Sequence, residues 1–451
     1  MKHAIFLLGM AMAAAARAGV TVSDVTASQN WPWDTRVTVS FTIADDEAGG
    51  VYDVTALKVA KDGLSRSVTL DAFPAAVSGD LLSLPAGRHT LVWDPTRSSP
   101  FSEDAVVLSD VTFEVSVAPA PNGARNYLVI DLSGGPTATS YPVTTLDAPP
   151  AGGWTLEHKT TKLVLRRVKA GSYTVGSPAD RPERGSYEAQ GAVTLTNDFW
   201  IGVFETTQRQ WELVTGLTAS NHYNLATAAE GACPVYCVSY ADVRGVEASN
   251  NWPKHAGVDA DSFMGLLTAK FARPDSVPAD RIFDLPTVAQ WQYACRAGTA
   301  TAWNNDRDLD YTTAADGEQY DANLARLGWF RNNAGYRIHE VGLKLPNAWG
   351  LYDMHGNAAE WGRDHVMGSP SGTEPWGGNN GNDGKSGCSY RAQLGGSYSG
   401  AREGTSLGTK SIGLYTSSYI GRSASTDQPT SRDRDWLGFR VALVYERGRE
   451  D

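Results

Sequence analysis

The 451-residue sequence contains few of the residues that usually carry metal or redox chemistry. It has four cysteines and eight histidines, and no two histidines show the HxH or HExxH spacing of a metal site. Basic residues number 39 against 50 acidic ones, which gives a formal net charge of −11. This balance argues against a nucleic-acid partner, because phosphate binding requires clustered lysine and arginine. The histidine spacing gives iron chemistry little support.

Long apolar runs are also scarce. One run, residues 4–16, follows the basic Lys2 and precedes Ala16-Arg-Ala18, a small-residue sequence of the kind that signal peptidase cleaves. The run is too short to cross a bilayer, and no later segment is apolar for about twenty residues. We therefore predict a signal peptide over residues 1–18, no membrane span, and export of a bacterial protein to the periplasm or the outside.

The length predicts two domains, because the chain is longer than one core usually is. Residues 20–118 contain alternating apolar and polar runs such as Val37–Ile43, separated by turn residues. This pattern predicts an immunoglobulin-like β-sandwich over residues 19–118 that lacks a cysteine pair. We assign residues 119–153 to a linker and a strand, and expect the main domain over residues 154–445.

Helix signals are clear in the main domain. Thr207 can cap a helix that ends at Gly216, and residues 262–271 form a second amphipathic helix. Thr287 and Gln290 form the capping box of a third. Their apolar stripes predict a core rather than a binding site.

The run Gly350–Trp361, GLYDMHGNAAEW, has neither a helical nor a strand period. Asp353, Asn357 and Glu360 supply hard oxygen donors, and Gly356 lets the backbone turn sharply between them. Calcium binds such a set of oxygens from one loop. The alternative is a tight turn whose polar side chains bond to their own backbone. The residues alone leave both interpretations open.

This run resembles the GLYDMxGNVWEW signature of the formylglycine-generating enzyme (sulfatase-modifying factor) family. LPTVAQWQYACR, residues 285–296, similarly resembles the family's LPTEAEWEYACR. Further landmarks follow in the family's order: Gly171–Gly176, Phe199–Thr207, Pro234–Tyr240, Gly395–Tyr398 and Gly438–Arg440. The resemblance implies a C-type-lectin-like α+β fold with little regular secondary structure.

The resemblance also implies calcium sites. One site would use the side chains of Asp353 and Glu360 and the carbonyl oxygens of Gly356 and Ala358. A second family site falls on Asn323, Leu324, Asn333 and Gly335, where the spacing is shorter and Asn333 stands in place of an acid. Calcium is therefore the expected cofactor.

The catalytic residues of the family are replaced. The formylglycine-generating enzyme holds copper with two cysteines shortly after its GGSW motif, and paired thiolates suit copper(I). Aligned from Gly395, those two positions are Gly400 and Thr405. This replacement argues against bound copper and against the family's oxidase activity, and we assign no catalytic residue.

The resemblance also implies that one of the four cysteines is a free thiol. In the family, the cysteine at Cys295 can pair with one just after GFR, where this chain has Val441. We therefore predict that Cys295 is a buried free thiol. Cys233 and Cys237 lie roughly 13 Å apart if the chain is extended, too far to bridge unless it turns. Either could instead reach Cys388.

The segment from residue 390 to residue 435 has the composition of an adaptable binding surface, with rigid aromatics among small polar residues. The candidate ligand residues are Ser397, Tyr398, Arg402, Tyr415, Tyr419 and Arg422. Three functions stay open. The chain is a recognition scaffold for a protein or glycan, a diverged protein-modifying or nonheme metal-dependent oxidase, or a structural envelope protein.

Overall fold

The computed structural model describes most of the chain. The described residues are 8–9, 20–30, 34–45, 50–61, 64–69, 77–79, 81–97, 111–120, 123–179, 189–218, 231–245, 257–305, 307, 311–313, 319–365, 371–373, 390–398, 419–423 and 436–445. The predicted signal peptide lies outside them apart from Leu8–Gly9. Two compact units are present, one formed by Met1–Asn126 with Gly171–Tyr173 and Asp275–Val277, and one formed by the rest.

The first unit consists of β-strands. They are β1 (Leu8–Gly9), β2 (Val20–Gln29), β3 (Val37–Asp45), β4 (Val51–Lys61), β5 (Leu64–Thr69), β6 (Val77–Gly79), β7 (Leu84–Pro85), β8 (Gly87–Trp93) and β9 (Val111–Pro119). One sheet has the order β1-β2-β3-β8-β6, and the other has the order β5-β4-β7 with β9 also paired to β4. A 3-10 turn covers Pro95–Arg97.

Both sheets of this unit bury their apolar faces in one core. Along β3, Val37, Val39, Phe41 and Ile43 are buried and their neighbours are not, as the alternation of the sequence predicts. They belong to the same cluster as residues of β4 such as Leu57. The two antiparallel sheets therefore stabilise each other by burying apolar surface.

The remaining strands begin with β10 (Tyr127–Asp131), β11 (Val143–Leu146), β12 (Lys162–Val168), β13 (Gly171–Val175), β14 (Gly191–Leu195), β15 (Phe199–Gly202), β16 (Arg281–Asp284), β17 (Tyr311–Thr313) and β18 (Gln319–Asp321). They continue with β19 (Ala359–His365), β20 (Gly372–Thr373), β21 (Tyr390–Leu394), β22 (Tyr419–Ser423), β23 (Leu437–Gly438) and β24 (Ala442–Tyr445). The main sheet has the order β11-β10-β12-β15-β24-β16. The chain's last described strand therefore pairs between β15 and β16.

Helices are few and short. They are α1 (Gln208–Thr215), α2 (Tyr240–Arg244), α3 (Phe263–Lys270), α4 (Val288–Arg296), α5 (Ala322–Leu327) and α6 (Arg331–Ala334), with 3-10 turns at Gly135–Thr137 and Leu156–Lys159. The three predicted helices are confirmed as α1, α3 and α4. Thr287 forms the expected capping box, and Thr207 caps α1 as expected and forms a capping box as well. Gly216 ends α1 in the left-handed conformation. No helix in the described part of the chain is long and apolar enough to span a membrane.

A four-stranded sheet positions the GLYDMHGNAAEW segment. Its order is β22-β21-β19-β23, and β19 begins at the end of that segment. β19 is antiparallel to β21 but parallel to the short β23, with Glu360 opposite Gly438. The pairing brings the GFR motif beside the last residues of the segment.

Candidate functional site

A cluster of buried charged side chains includes two residues of the GLYDMHGNAAEW segment. It contains Glu205, Asp353, Glu360 and Arg440, each at most 1% exposed. Glu205 lies between β15 and α1, and Arg440 lies between β23 and β24. We call these four residues the acid–arginine cluster. Such charges are costly to bury unless they are paired and hydrogen-bonded.

Arg440 and Glu360 form the core of this cluster. Arg440 Nη2 lies 2.8 Å from Glu360 Oε1, and Arg440 Nε lies 3.1 and 3.2 Å from the two carboxylate oxygens. Arg440 also donates to the carbonyls of Gly202 and Tyr352 at 2.8 Å each. Trp291 Nε1 donates to Glu360 Oε2 at 2.7 Å. Arg440 therefore joins three parts of the domain.

Glu205 holds the turn that follows Gly356. Its Oε1 accepts from the backbone N–H of Ala358 at 2.8 Å, and its Oε2 accepts from Asn357 Nδ2 at 2.7 Å. Asn357 has φ +58°, and its Oδ1 accepts from the backbone N–H of His339 at 3.0 Å. One buried carboxylate thus satisfies two donors of a turn that the backbone alone would not favour.

Asp353 has one carboxylate oxygen without a partner among the described residues. Its Oδ2 accepts from the backbone N–H of Gly342 at 2.6 Å, whereas its Oδ1 is buried and makes no hydrogen bond. Burial raises the pKa of Asp353 to about 6. Burial, and then the nearby Asp353 and Glu360, raise the pKa of Glu205 well above its ordinary value. Three carboxyl groups and one guanidinium are therefore buried together, and burial favours the uncharged forms of Asp353 and Glu205.

Asp353 is a predicted calcium ligand whose surroundings suit a bound cation. Its buried Oδ1 is a hard oxygen that a cation would satisfy. Both oxygens of Glu360 already accept from Arg440, so calcium would compete there with a guanidinium. The described residues contain no group of three or more His, Cys, Asp or Glu side chains that could hold a metal. Calcium at this segment stays a prediction.

The residues of the second predicted calcium site make local bonds. Asn333 Oδ1 accepts from the backbone N–H of Phe330 at 2.7 Å. Asp321 Oδ1 accepts from the backbone N–H groups of Asn323 and Leu324 at 2.8 and 2.9 Å. Both arrangements cap short helices. Gly335, the fourth predicted residue, ends α6 in the left-handed conformation.

Residues 156–444 match the FGE-sulfatase family, described as the Sulfatase-modifying factor enzyme 1-like domain. The chain belongs to this family.

The chain is also similar to a characterised protein and to solved structures. The chain is 28% identical over 193 residues to the "Chaperone protein LppX" of Paenibacillus barcinonensis. The aligned region covers 41% of this chain and 67% of that protein. Among solved structures, "Treponema denticola variable protein 1" shows 23% identity and a TM-score of 0.42, over 62% of this chain and 95% of that chain. PvdO from Pseudomonas aeruginosa shows 22% identity and a TM-score of 0.44, over 62% and 94%.

The candidate ligand residues of this sulfatase-modifying factor domain are only partly described. Ser397 and Tyr398 are buried, and the backbone N–H of Tyr398 donates to the carbonyl of Asn357 at 2.8 Å. Tyr419 and Arg422 lie on β22, where only the backbone is described. The positions outside the described residues are Arg402 and Tyr415, together with Gly400 and Thr405 at the family's cysteine positions.

Cys295 is a buried free thiol, as predicted. It lies on α4, its sulfur is 3.8 Å from the carbonyl oxygen of Met354, and burial raises its pKa. Cys233 and Cys237 are also buried, and Cys237 has φ +59°, so the chain turns there. Cys388 lies outside the described residues, so a bond from Cys233 or Cys237 to Cys388 stays a prediction.

Sequence reasoning missed Glu205 and Trp291. Glu205 directly follows the apolar run Phe199–Phe204 and lies two residues before Thr207, the capping threonine of α1. A charge that interrupts a buried strand end is a signal for a paired interior group. Trp291 lies on the buried side of α4, and its indole N–H also donates to Glu360.

Proposed function

We propose that the chain is a non-catalytic member of the formylglycine-generating enzyme family that serves as an exported recognition scaffold for a protein or glycan. The observation that carries this proposal is the replacement of the family's two copper-binding cysteines by Gly400 and Thr405. Glycine offers no side-chain ligand, and a threonine hydroxyl is a poor substitute for a soft thiolate. The domain thus keeps the family's framework without the ligands for its oxidase chemistry.

The buried framework supports a scaffold role. The acid–arginine cluster bonds β15, the GLYDMHGNAAEW segment and the GFR motif to one another. Binding residues are usually carried by loops whose ends are fixed on rigid elements. Because Ser397 and Tyr398 are buried, we assign them to the base of the recognition surface. Its contact residues are Arg402, Tyr415, Tyr419 and Arg422.

Calcium stabilisation is part of the proposal. The buried, unpartnered Oδ1 of Asp353 supports a cation beside it, because a buried carboxylate oxygen without a partner destabilises the fold. The carbonyl oxygens of Gly356 and Ala358 would complete the set, with Glu360 shared between the ion and Arg440. The ion would supply positive charge only, with no part in a reaction.

The N-terminal unit fits the role of a spacer. Its two antiparallel sheets around one core support an immunoglobulin-like sandwich, and the sequence places no catalytic group in it. Export would follow from the signal peptide over residues 1–18.

The test compares activity and binding in one preparation of mature protein. We expect a sulfatase-derived cysteine peptide, incubated with copper and oxygen, to keep its mass. We also expect saturable binding on a glycan array or to an envelope-protein library, weakened at least tenfold by Tyr419→Ala with Arg422→Ala. Arg209→Ala, on the exposed face of α1, is the control.

Three outcomes would contradict the proposal. Conversion of the peptide cysteine to formylglycine, with stoichiometric copper in the protein, would show that the chain is an active oxidase. Equal binding by the double variant and the control would remove the recognition surface from residues 390–435, and an absence of any ligand would favour a structural envelope role.

A further inference from the structure

Exposed apolar side chains concentrate in one short stretch of the second unit. Four large hydrophobic residues stand out as exposed in the described part of the chain, and three of them are Tyr336, Leu343 and Leu345, at 63%, 54% and 50% exposure. The fourth, Leu217, is 61% exposed at the end of α1. A single exposed leucine is ordinary, whereas a group on one segment indicates an interaction surface.

The same stretch is basic in an otherwise acidic protein. Between positions 322 and 349 the sequence has Arg326, Arg331, Arg337 and Lys344, against the single acid Glu340. Glu340 accepts from Lys159 at 2.9 Å, so its charge is already compensated. The local surface therefore carries positive charge although the chain has a net charge of −11.

Hydrogen bonds and a ring contact hold the loop that carries Leu343 and Leu345. The backbone N–H of Leu345 donates to the carbonyl of Arg326 at 2.9 Å. Lys344 Nζ donates to the carbonyl of Ala325 at 2.8 Å and lies 3.7 Å from the centre of the Trp329 ring. The Trp329 ring also stacks on the ring of His339, with 3.8 Å between the two centroids. Leu343 and Leu345 therefore project from a fixed base, and ordering them on a partner costs little entropy.

We propose that this surface docks the protein on an anionic lipid bilayer. We call it the basic–apolar patch, and it consists of Arg326, Arg331, Tyr336, Arg337, Leu343 and Leu345. The two leucines enter the acyl boundary, the tyrosine lies at the headgroup level, and the arginines contact lipid phosphates.

The shape of the patch favours lipid over an acidic polypeptide. A peptide needs a groove with fixed pockets, whereas side chains that project from a loop suit a layer that deforms around them. The overall negative charge opposes the approach only weakly. Exposed charges farther away than about 10 Å are largely screened at 0.1 M salt, so the local charge dominates.

Vesicle co-sedimentation of the full mature chain tests the proposal. We expect binding to vesicles of phosphatidylglycerol and phosphatidylcholine, and at least tenfold weaker binding to phosphatidylcholine alone. Leu343→Ser with Leu345→Ser should lower the partition coefficient at least tenfold. Leu217→Ser, a leucine of similar exposure outside the patch, should leave it unchanged.

A second variant keeps the test independent of the leucines. Arg326→Gln with Arg337→Gln should weaken binding at least fivefold and reduce its dependence on salt. Arg326→Lys with Arg337→Lys, which keeps both charges, should retain binding. Binding that is equal on neutral vesicles, or equal for the two leucine variants, would overturn the proposal. Loss of vesicle binding on adding poly-glutamate, with tight binding of that polymer to the patch, would assign the surface to an acidic polypeptide instead.

Discussion

The guanidinium of Arg440 and the carboxylate of Glu360 form an ion pair with a 2.8 Å contact, and the two side chains are 0% and 1% exposed. The pair between Lys58 and Glu114, at 3.2 Å, has side chains that are 47% and 32% exposed. Water screens the second pair and not the first. Removing one partner therefore has different consequences at the two sites, because only the buried site would retain an uncompensated charge.

Glu360→Gln should lower the free energy of unfolding of the second unit by about 3–5 kcal/mol, because it leaves Arg440 buried without its counterion. Glu114→Gln, the exposed control, should lower that of the first unit by about 1 kcal/mol or less. Urea denaturation followed by tryptophan fluorescence measures both. Equal losses for the two variants would show that the Arg440 charge is compensated elsewhere.

Gly356→Ala should destabilise the second unit by more than about 4 kcal/mol, or prevent its folding. Gly356 has φ +83°, and a Cβ at this position would overlap the carbonyl oxygen of Trp329. Gly335→Ala is the matched control, since Gly335 has φ +59° with open space around it, and should cost about 1–2 kcal/mol. Soluble yield and urea midpoints distinguish the two variants. A Gly356→Ala protein as stable as the control would contradict the packing of this turn.

Calcium at about 100 times its Kd should raise the melting temperature of the second unit by roughly 5–10 °C over protein treated with a chelator. Asp353→Asn should remove most of this shift, because it replaces the carboxylate whose Oδ1 lacks a partner. Asp280→Asn, at a half-exposed carboxylate, should keep the shift. A shift that survives in Asp353→Asn would place any calcium elsewhere.

The contribution of His339 to the free energy of unfolding should fall as the pH falls below about 6.5, the ordinary pKa of histidine. Burial, aided by Arg337 and Lys344, lowers the pKa of His339 against the raising effect of its bond to Ala334. The unfolded chain therefore takes up a proton more readily than the fold, so protonation favours unfolding. The contribution of His339 is complete above pH 6.5 and is lost progressively in acid.

His339→Gln should remove this contribution, so that the difference in free energy of unfolding between variant and wild type changes below about pH 6.5, as measured by urea denaturation between pH 5 and 8. The comparison between variant and wild type isolates this histidine from other groups that titrate there. An unchanged slope in His339→Gln would show that the pKa of His339 is the same in the folded and unfolded chain.

Local signals of the sequence predicted the local structure well. Thr207 and Thr287 each bond to a residue three positions on, so a short window of sequence contains the whole capping box. The alternation of β3 is likewise visible in nine residues. Such interactions depend on neighbours along the chain, and no tertiary information is needed to recognise them.

The contacts within the candidate site could not be predicted in this way. Glu205 and Asn357 bond across 152 positions, and Arg440 and Glu360 bond across 80. Residue type suggested an oxygen-ligand role for Glu360, but nothing local shows that Arg440 is its partner. The calcium set was inferred one loop at a time, and the guanidinium beside it comes from the other end of the domain.

The parallel pairing of Ala359 with Leu437 and of Glu360 with Gly438 has a consequence for how this domain tolerates change. The backbone N–H of Tyr398 donates to the carbonyl of Asn357, and the backbone N–H of Ala359 donates to the carbonyl of Trp436, so residues 399–435 begin and end beside the same turn. A stretch whose two ends are neighbours can gain, lose or exchange residues without altering the span it must bridge. Selection, or a designer with a peptide library, could therefore rewrite that stretch while leaving the foundations of the domain in place.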